Sequence, residues 1–276
     1  MKWIKILCLV ISSCHLNVSA QNLAQTYQFA VDQYALGNRN VAEKAFKRVL
    51  FFDRENQYRT ECLLKLAEIS DSSDDQLTTL NYLDQAYFQT SDPYLQNTIQ
   101  FNRVKIFIET SAYQKALAEL YQIDTEIYPD RVSLYEGYCH YMLRDFLSAE
   151  AAFSTLCRTP ASKMELTDLI SKGLQIEKLN PKTYEVISYL FPGLGQIILG
   201  DARNSVNSIL LNGTQVVLFI DTARKLSFFD ATISVLPWLF RYYTGGAKLT
   251  RSLALQKKAE KHEENLMQII KTITHQ

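Results

Sequence analysis

The sequence predicts an all-α fold: a solenoid of stacked helix pairs, then an apolar helical hairpin, then a C-terminal helix. Three observations predict it. Nine glycines and six prolines are spread over 276 residues, so little interrupts a helix. Apolar residues recur at i, i+4 and i+7, as in Ala42, Phe46 and Val49, rather than alternating as in a strand. The same pattern of small and large residues then returns through Ala42, Thr79, Ala116 and Ala149, at spacings of 37, 37 and 33.

Composition narrows the function. Hydrophobic residues make up 47% and charged residues 21%, which allows a sizeable core. Lys+Arg and Asp+Glu are both 29, so no overall charge draws the chain to nucleic acid.

The N-terminus reads as a targeting signal over residues 1–20. Lys2 and Lys5 precede an apolar run from Ile6 to Ile11, and Val18-Ser19-Ala20 offers small residues for cleavage after Ala20. The apolar run is too short to span ~30 Å of hydrocarbon as an anchor. Ile11-Ser12-Ser13-Cys14 resembles a relaxed bacterial lipobox, so acylation of Cys14 competes with cleavage after Ala20. Cys62, Cys139 and Cys157 follow the signal, too few for a disulfide framework. Each sits in a helical pattern as a small core residue, and a Cys139–Cys157 pair stays open for an oxidising compartment.

The first helix pair runs from Tyr27 to Asn56, with Ala30 in its first helix, Gly37-Asn38 at the turn, and Ala42, Phe46 and Val49 on the second. The skeleton returns as Ala67 with Thr79, Leu83 and Ala86; as Val104 with Ala116 and Leu120; and as Gly137 with Ala149 and Phe153. Pro93, Pro129 and Pro160 are expected to end the units they follow. Met164 to Leu179 reads as a closing helix stopped by Asn180-Pro181. One helix pair cannot bury both faces, whereas stacked pairs bury a continuous core.

This pattern resembles the tetratricopeptide repeat family over residues 21–180. The matches are the small residue of the first helix (Ala30, Ala67, Gly137), the small residue early in the second (Ala42, Ala116, Ala149), and the large apolar residue four on (Phe46, Leu83, Leu120, Phe153). Thr79 and Val104 depart from it, being β-branched where the family has a small residue. In such a solenoid the first helices line a binding groove, which by register holds Tyr27, Tyr34, Phe101, Lys105, Ile108, Tyr138 and Tyr141. Twelve of the 16 tyrosines fall between Tyr27 and Tyr141, and tyrosine suits recognition of a protein partner.

Three apolar stretches follow: Tyr184 to Leu199, Ser205 to Ala223, and Phe228 to Tyr243. Asn207, Asn212, Gln215, Asp221 and Asp230 make them marginal as membrane spans. Ser188-Tyr189-Leu190-Phe191-Pro192-Gly193-Leu194-Gly195-Gln196 with Gly200 downstream resembles the S-x-x-x-P-G-x-G-Q-x-x-x-G signature of small two-helix membrane domains, which lie C-terminal to repeat regions in Bacteroidetes-type envelope proteins. Asn212-Gly213 and Arg241-Tyr242-Tyr243-x-Gly245 resemble the same domains. The resemblance implies that residues 181–246 associate with membrane lipid through a motif of Pro192, Gly193, Gly195, Gln196, Gly200 and Asn212. The expected arrangement is a re-entrant or interfacial first stretch and two crossings, with Gly245-Gly246 closing the segment and 247–276 forming a polar helical tail.

No catalytic, cofactor or metal site is expected. Gly193-x-Gly195 lacks the strand and next glycine of a dinucleotide fingerprint. His262-Glu263-Glu264-Asn265 lacks the second histidine of a metalloprotease helix. Asp71 to Asp75 lacks the glycine and distal glutamate of a calcium loop. The expectation is therefore an exported, membrane-anchored envelope scaffold with repeats on the periplasmic side. The rival is a membrane-active component, such as an insertion or transport accessory, in which residues 183–246 do the work.

Overall fold

A computed structural model describes residues 22–274. The signal segment, with the cleavage position after Ala20 and Cys14, lies outside the described residues. Every regular element among the described residues is an α-helix. The chain forms two compact units, one through Ile127 and one from Tyr128.

The first unit holds three helix pairs: α1 (Leu23–Ala35) with α2 (Arg39–Phe52), α3 (Arg59–Asp71) with α4 (Gln76–Gln89), and α5 (Pro93–Glu109) with α6 (Tyr113–Leu120). Each helix packs on the next in sequence. The repeat register is the core: Ala30, Ala42, Phe46, Val104, Ala116 and Leu120 are fully buried, with Ala67 and Leu83 nearly so. Thr79 fits the small position because its hydroxyl donates back to the Asp75 carbonyl at 2.8 Å, which satisfies a group that is only 2% exposed.

A left-handed residue makes the turn inside each pair: Gly37 at φ 78°, Asp74 at 59° and Ser111 at 58°, with Arg144 at 66° in the same register of the second unit. That conformation lets the chain reverse within a few residues. The next residue is the N-cap of the second helix: Asp75 and Asp145 cap it through their side chains, whereas Ala112 cannot.

The prolines act differently from expectation. Pro93, Pro129 and Pro160 are the first residues of α5, α7 and α9, where a missing N–H costs no helical hydrogen bond. They start units rather than end them.

The second unit begins with α7 (Pro129–Met142), α8 (Phe146–Ser154) and α9 (Pro160–Glu177). The closing helix thus starts at Pro160, before Met164, under a Thr159–Ser162 capping box. Then come α10 (Pro181–Leu190), the short α11 (Leu194–Ile198), α12 (Ala202–Lys225), α13 (Phe228–Ser234) and α14 (Leu236–Thr274). Residues 247–274 continue a helix already begun at Leu236, because α14 runs unbroken for 39 residues through Gly245-Gly246. Its first half packs on α10, α12 and α13; its second half lies on α9 and adds Leu266 and Ile269 to a core with Tyr141, Phe146, Phe153 and Leu166.

No helix among the described residues is long and apolar enough to cross a membrane. The two expected crossings are therefore not assigned. Asn204, Asn207, Asn212, Gln215 and Asp221 lie along α12, and residues 228–243 are divided at Val235 between α13 and α14.

Candidate functional site

In the first unit, α1, α3 and α5 present a polar face. Tyr27 donates from its hydroxyl to Glu61 Oε2 at 2.5 Å, and Tyr34 to Glu68 Oε2 at 2.6 Å. Lys105 Nζ lies 3.7 Å from Asp71 Oδ2 and 3.5 Å from Glu109 Oε1. Tyr27 stacks on Tyr58 with ring centroids 4.4 Å apart, and Lys65 Nζ sits 4.8 Å over the Tyr34 ring. Burial and the bond to Glu61 raise the Tyr27 pKa, and the bond to Glu68 raises that of Tyr34, so both hydroxyls stay protonated donors. A cleft of about 220 Å³ opens beside them, lined by Leu64, Glu68, Asp71, Leu95, Asn102 and Lys105.

The groove residues expected from sequence separate under this geometry. Tyr27, Tyr34 and Lys105 line the face, and Ile108 is half-buried on α5. Phe101 is 1% exposed and belongs to the core. In the second unit, Tyr138 is half-buried against the core, and Tyr141 is fully buried rather than groove-facing. Tyr141 accepts from Asn265 Nδ2 at 2.9 Å and lies 3.3 Å from His262 Nδ1. The carboxylates Glu61 and Glu68 escaped the sequence reading, and Asp71 enters it only as part of an acidic stretch between helices. Their signal was a tyrosine or lysine 34 residues away, visible only once the pairing is known.

Residues 181–250 have the reverse of a soluble core. Their buried side chains are Ser188, Gln196, Ser205, Ser208, Asn212 and Thr250, with Ala231, Val235 and Ala247. Val235 is the one buried apolar side chain larger than alanine among them. Meanwhile Leu190, Phe191, Leu210, Val217, Leu226, Phe228, Phe229, Ile233 and Phe240 are each more than 60% exposed.

The motif residues organise that polar interior. Pro192 and Gly193, the latter at φ 94°, separate α10 from α11 and turn the chain. Gln196 is fully buried; its Nε2 donates to Ser208 Oγ at 3.1 Å and to the Gly246 carbonyl at 3.1 Å. Ser188 and Thr250 join hydroxyls at 2.9 Å, and Tyr243 donates to the Tyr189 carbonyl. Gly195 has no room for a Cβ, which would strike Ser188 Oγ and the Tyr184 carbonyl oxygen. Gly200, at φ 77°, closes α11 before Asp201 caps α12. Asn212 donates from Nδ2 to the Ser208 carbonyl at 2.7 Å. Ser205 and Ser208 were missed from sequence, although with Asn212 they fall at i, i+3 and i+7 on one face of α12.

Cys62, Cys139 and Cys157, the cysteines among the described residues, are free thiols, and burial pushes Cys62 and Cys139 up to about 12, so neither offers a thiolate. No protein-family model, curated protein or solved structure matches this chain.

Proposed function

We propose that this protein is a membrane-anchored envelope scaffold: tetratricopeptide-like repeats bind a protein partner outside the cytoplasm, and residues 181–250 hold the complex at a lipid surface. The carrying observation is the inverted burial of that segment. Soluble monomers rarely expose a contiguous apolar surface beyond a few hundred Å². Lipid, by contrast, accepts Leu210, Val217 and Phe229 outward and rewards polar pairs held inside, as Gln196 with Ser208 and Ser188 with Thr250 are. Small residues support the same reading, since Gly195 and Gly246 let helices approach closely.

The polar face of α1, α3 and α5 supports the partner-binding half. Its Glu61 and Glu68 carboxylates beside tyrosine rings, with Asp71 beside Lys105 on the same face, suit a basic or polar peptide segment. The exported location rests on the signal read in residues 1–20.

Replacing Leu210, Val217, Phe228 and Phe229 together by serine tests the anchor. All are outward-facing, so folding survives and the variant moves to the soluble fraction. A variant that stays with membranes as fully as the wild type sinks the anchor proposal. The second reading, a membrane-active component worked by 183–246, is favoured by buried Asn212, and predicts that Asn212→Leu abolishes function without releasing the protein.

A further inference from the structure

We propose that the cleft between α12 and α14 binds a phosphate ester carrying an adjacent hydroxyl or ammonium group, the chemistry of a phospholipid headgroup. The inference rests on the membrane-anchor reading and names what the anchor recognises. The cleft measures about 420 Å³ and is lined by Asn207, Asn212, Arg241, Tyr242, Gly245 and Leu249, among others.

Its two walls ask for different things. On α14, Arg241 makes no ion pair among the described residues; its guanidinium lies 5.9 Å from the Trp238 ring centroid. The acids of this segment are engaged elsewhere. Glu185 faces Arg251 at 3.6 Å, Asp221 pairs with Lys225 at 2.9 Å, Asp230 accepts from Ser227, and Asp201 caps α12. An unpaired cation flanked by apolar side chains draws an anion, and a guanidinium fits a phosphate with two parallel hydrogen bonds. Basic pockets between membrane-associated helices hold lipid headgroups by this means.

On α12, Asn212 is only 7% exposed, and its Oδ1 has no partner while its Nδ2 is used. A buried acceptor left empty is costly, so this wall calls for a donor. A phosphate for Arg241 and an O–H or N–H for Asn212 occur together in phosphatidylglycerol or phosphatidylethanolamine. Choline, a quaternary ammonium, supplies the first without the second. Gly245 leaves the space open, since a Cβ there would meet nothing within 4 Å.

The test is thermal unfolding of the full-length protein in detergent, titrated with phosphatidylglycerol, phosphatidylcholine or glycerol 3-phosphate. Phosphatidylglycerol should stabilise the wild type at least tenfold more tightly than Arg241→Gln or Asn212→Leu, and more tightly than phosphatidylcholine. If glycerol 3-phosphate does so equally well, the site stands and its ligand is a soluble phosphate ester. Equal titration of wild type and Arg241→Gln, or no response to either phosphate ester, overturns the site. Membrane fractionation is read separately. A protein that washes off membranes yet binds through Arg241 keeps the site and loses the anchor, and one that stays on membranes without Arg241-dependent binding loses only the site.

Discussion

Tyr34 donates a 2.6 Å hydrogen bond to Glu68, a residue 34 positions further on. Tyr27 and Glu61 repeat the bond at the same separation one heptad earlier. Lys105 and Asp71 keep that separation between the next two first helices. The spacing is that of one helix pair, so equivalent faces of successive pairs are tied by polar bridges along the proposed groove. Removing the Tyr34 hydroxyl alone, in Tyr34→Phe, should cost about 1 kcal/mol, a charge-assisted bond discounted for partial exposure. Thermal unfolding checks it: a fall of roughly 2 °C is expected for a chain of this size, and an unchanged midpoint would show that the bridge does not contribute.

The third pair is the least well made. Ser111 holds a left-handed φ of 58° without being glycine, and Ala112 gives α6 no side-chain cap. Ser111→Gly relieves about 1 kcal/mol of backbone cost, and Ala112→Asp adds a cap of about 1 kcal/mol, as Asp75 and Asp145 already supply. Both should raise the denaturation midpoint, and because the two positions adjoin, the double variant measures their coupling. A loss of stability in either would refute the shared turn register.

Arg103 joins three helices of the first unit, reaching Asp84 at 3.2 Å and Glu119 at 2.8 Å. Burial raises the Glu119 pKa and Asp84 adds to it, while Arg103 opposes both. Arg103→Met therefore leaves Glu119 inside without compensation, at about 3 kcal/mol. Pairing it with Glu119→Gln should recover most of the loss; a double variant as weak as the single would show that packing by the arginine stem is what matters.

Acid should loosen the hold of α14 on α9. His262 is 3% exposed, 3.1 Å from Glu177 Oε2, and Lys258 Nζ binds the same carboxylate at 2.9 Å. Burial lowers the His262 pKa below 6.5, with Arg144 adding to it and Glu177 opposing. Burial raises that of Glu177, but Lys258, Arg144 and His262 outweigh it and hold the carboxyl below 4.5. Both groups bind protons more readily when unfolded. The His262 contribution is full above about pH 6.5 and is lost as pH falls through the lowered pKa. The Glu177 contribution is lost below about pH 4.5 in the same way. Unfolding temperatures measured from pH 7.5 to 5 should decline in the wild type and less in His262→Gln; parallel curves would contradict this.

Much of this fold can be read from residue pattern. Ala42, Thr79, Ala116 and Ala149 were placed by spacing alone, and all four are buried. The turn residues Asp74, Ser111 and Arg144 were not legible, because only Gly37 announces a left-handed conformation by its type. Gly245-Gly246 reads as a break, yet it lies inside α14. Gly246 sits where a Cβ would meet Ser208 Oγ at 3.1 Å, and its carbonyl accepts from Gln196, so close packing outweighs poor helix propensity. Tyr141 reads as a groove residue because its partners His262 and Asn265 are 121 and 124 positions away. Contacts of that range leave no periodic trace.

The proposed anchor requires the inverted segment to sit in lipid. Carbonate washing of membranes from cells expressing the full-length protein tests it most directly, with the Leu210, Val217, Phe228, Phe229 serine variant alongside. The wild type should stay in the pellet while the variant is released. A wild type that washes into the supernatant would contradict it, and would leave Leu210, Val217 and Phe229 as surface for a protein rather than for lipid.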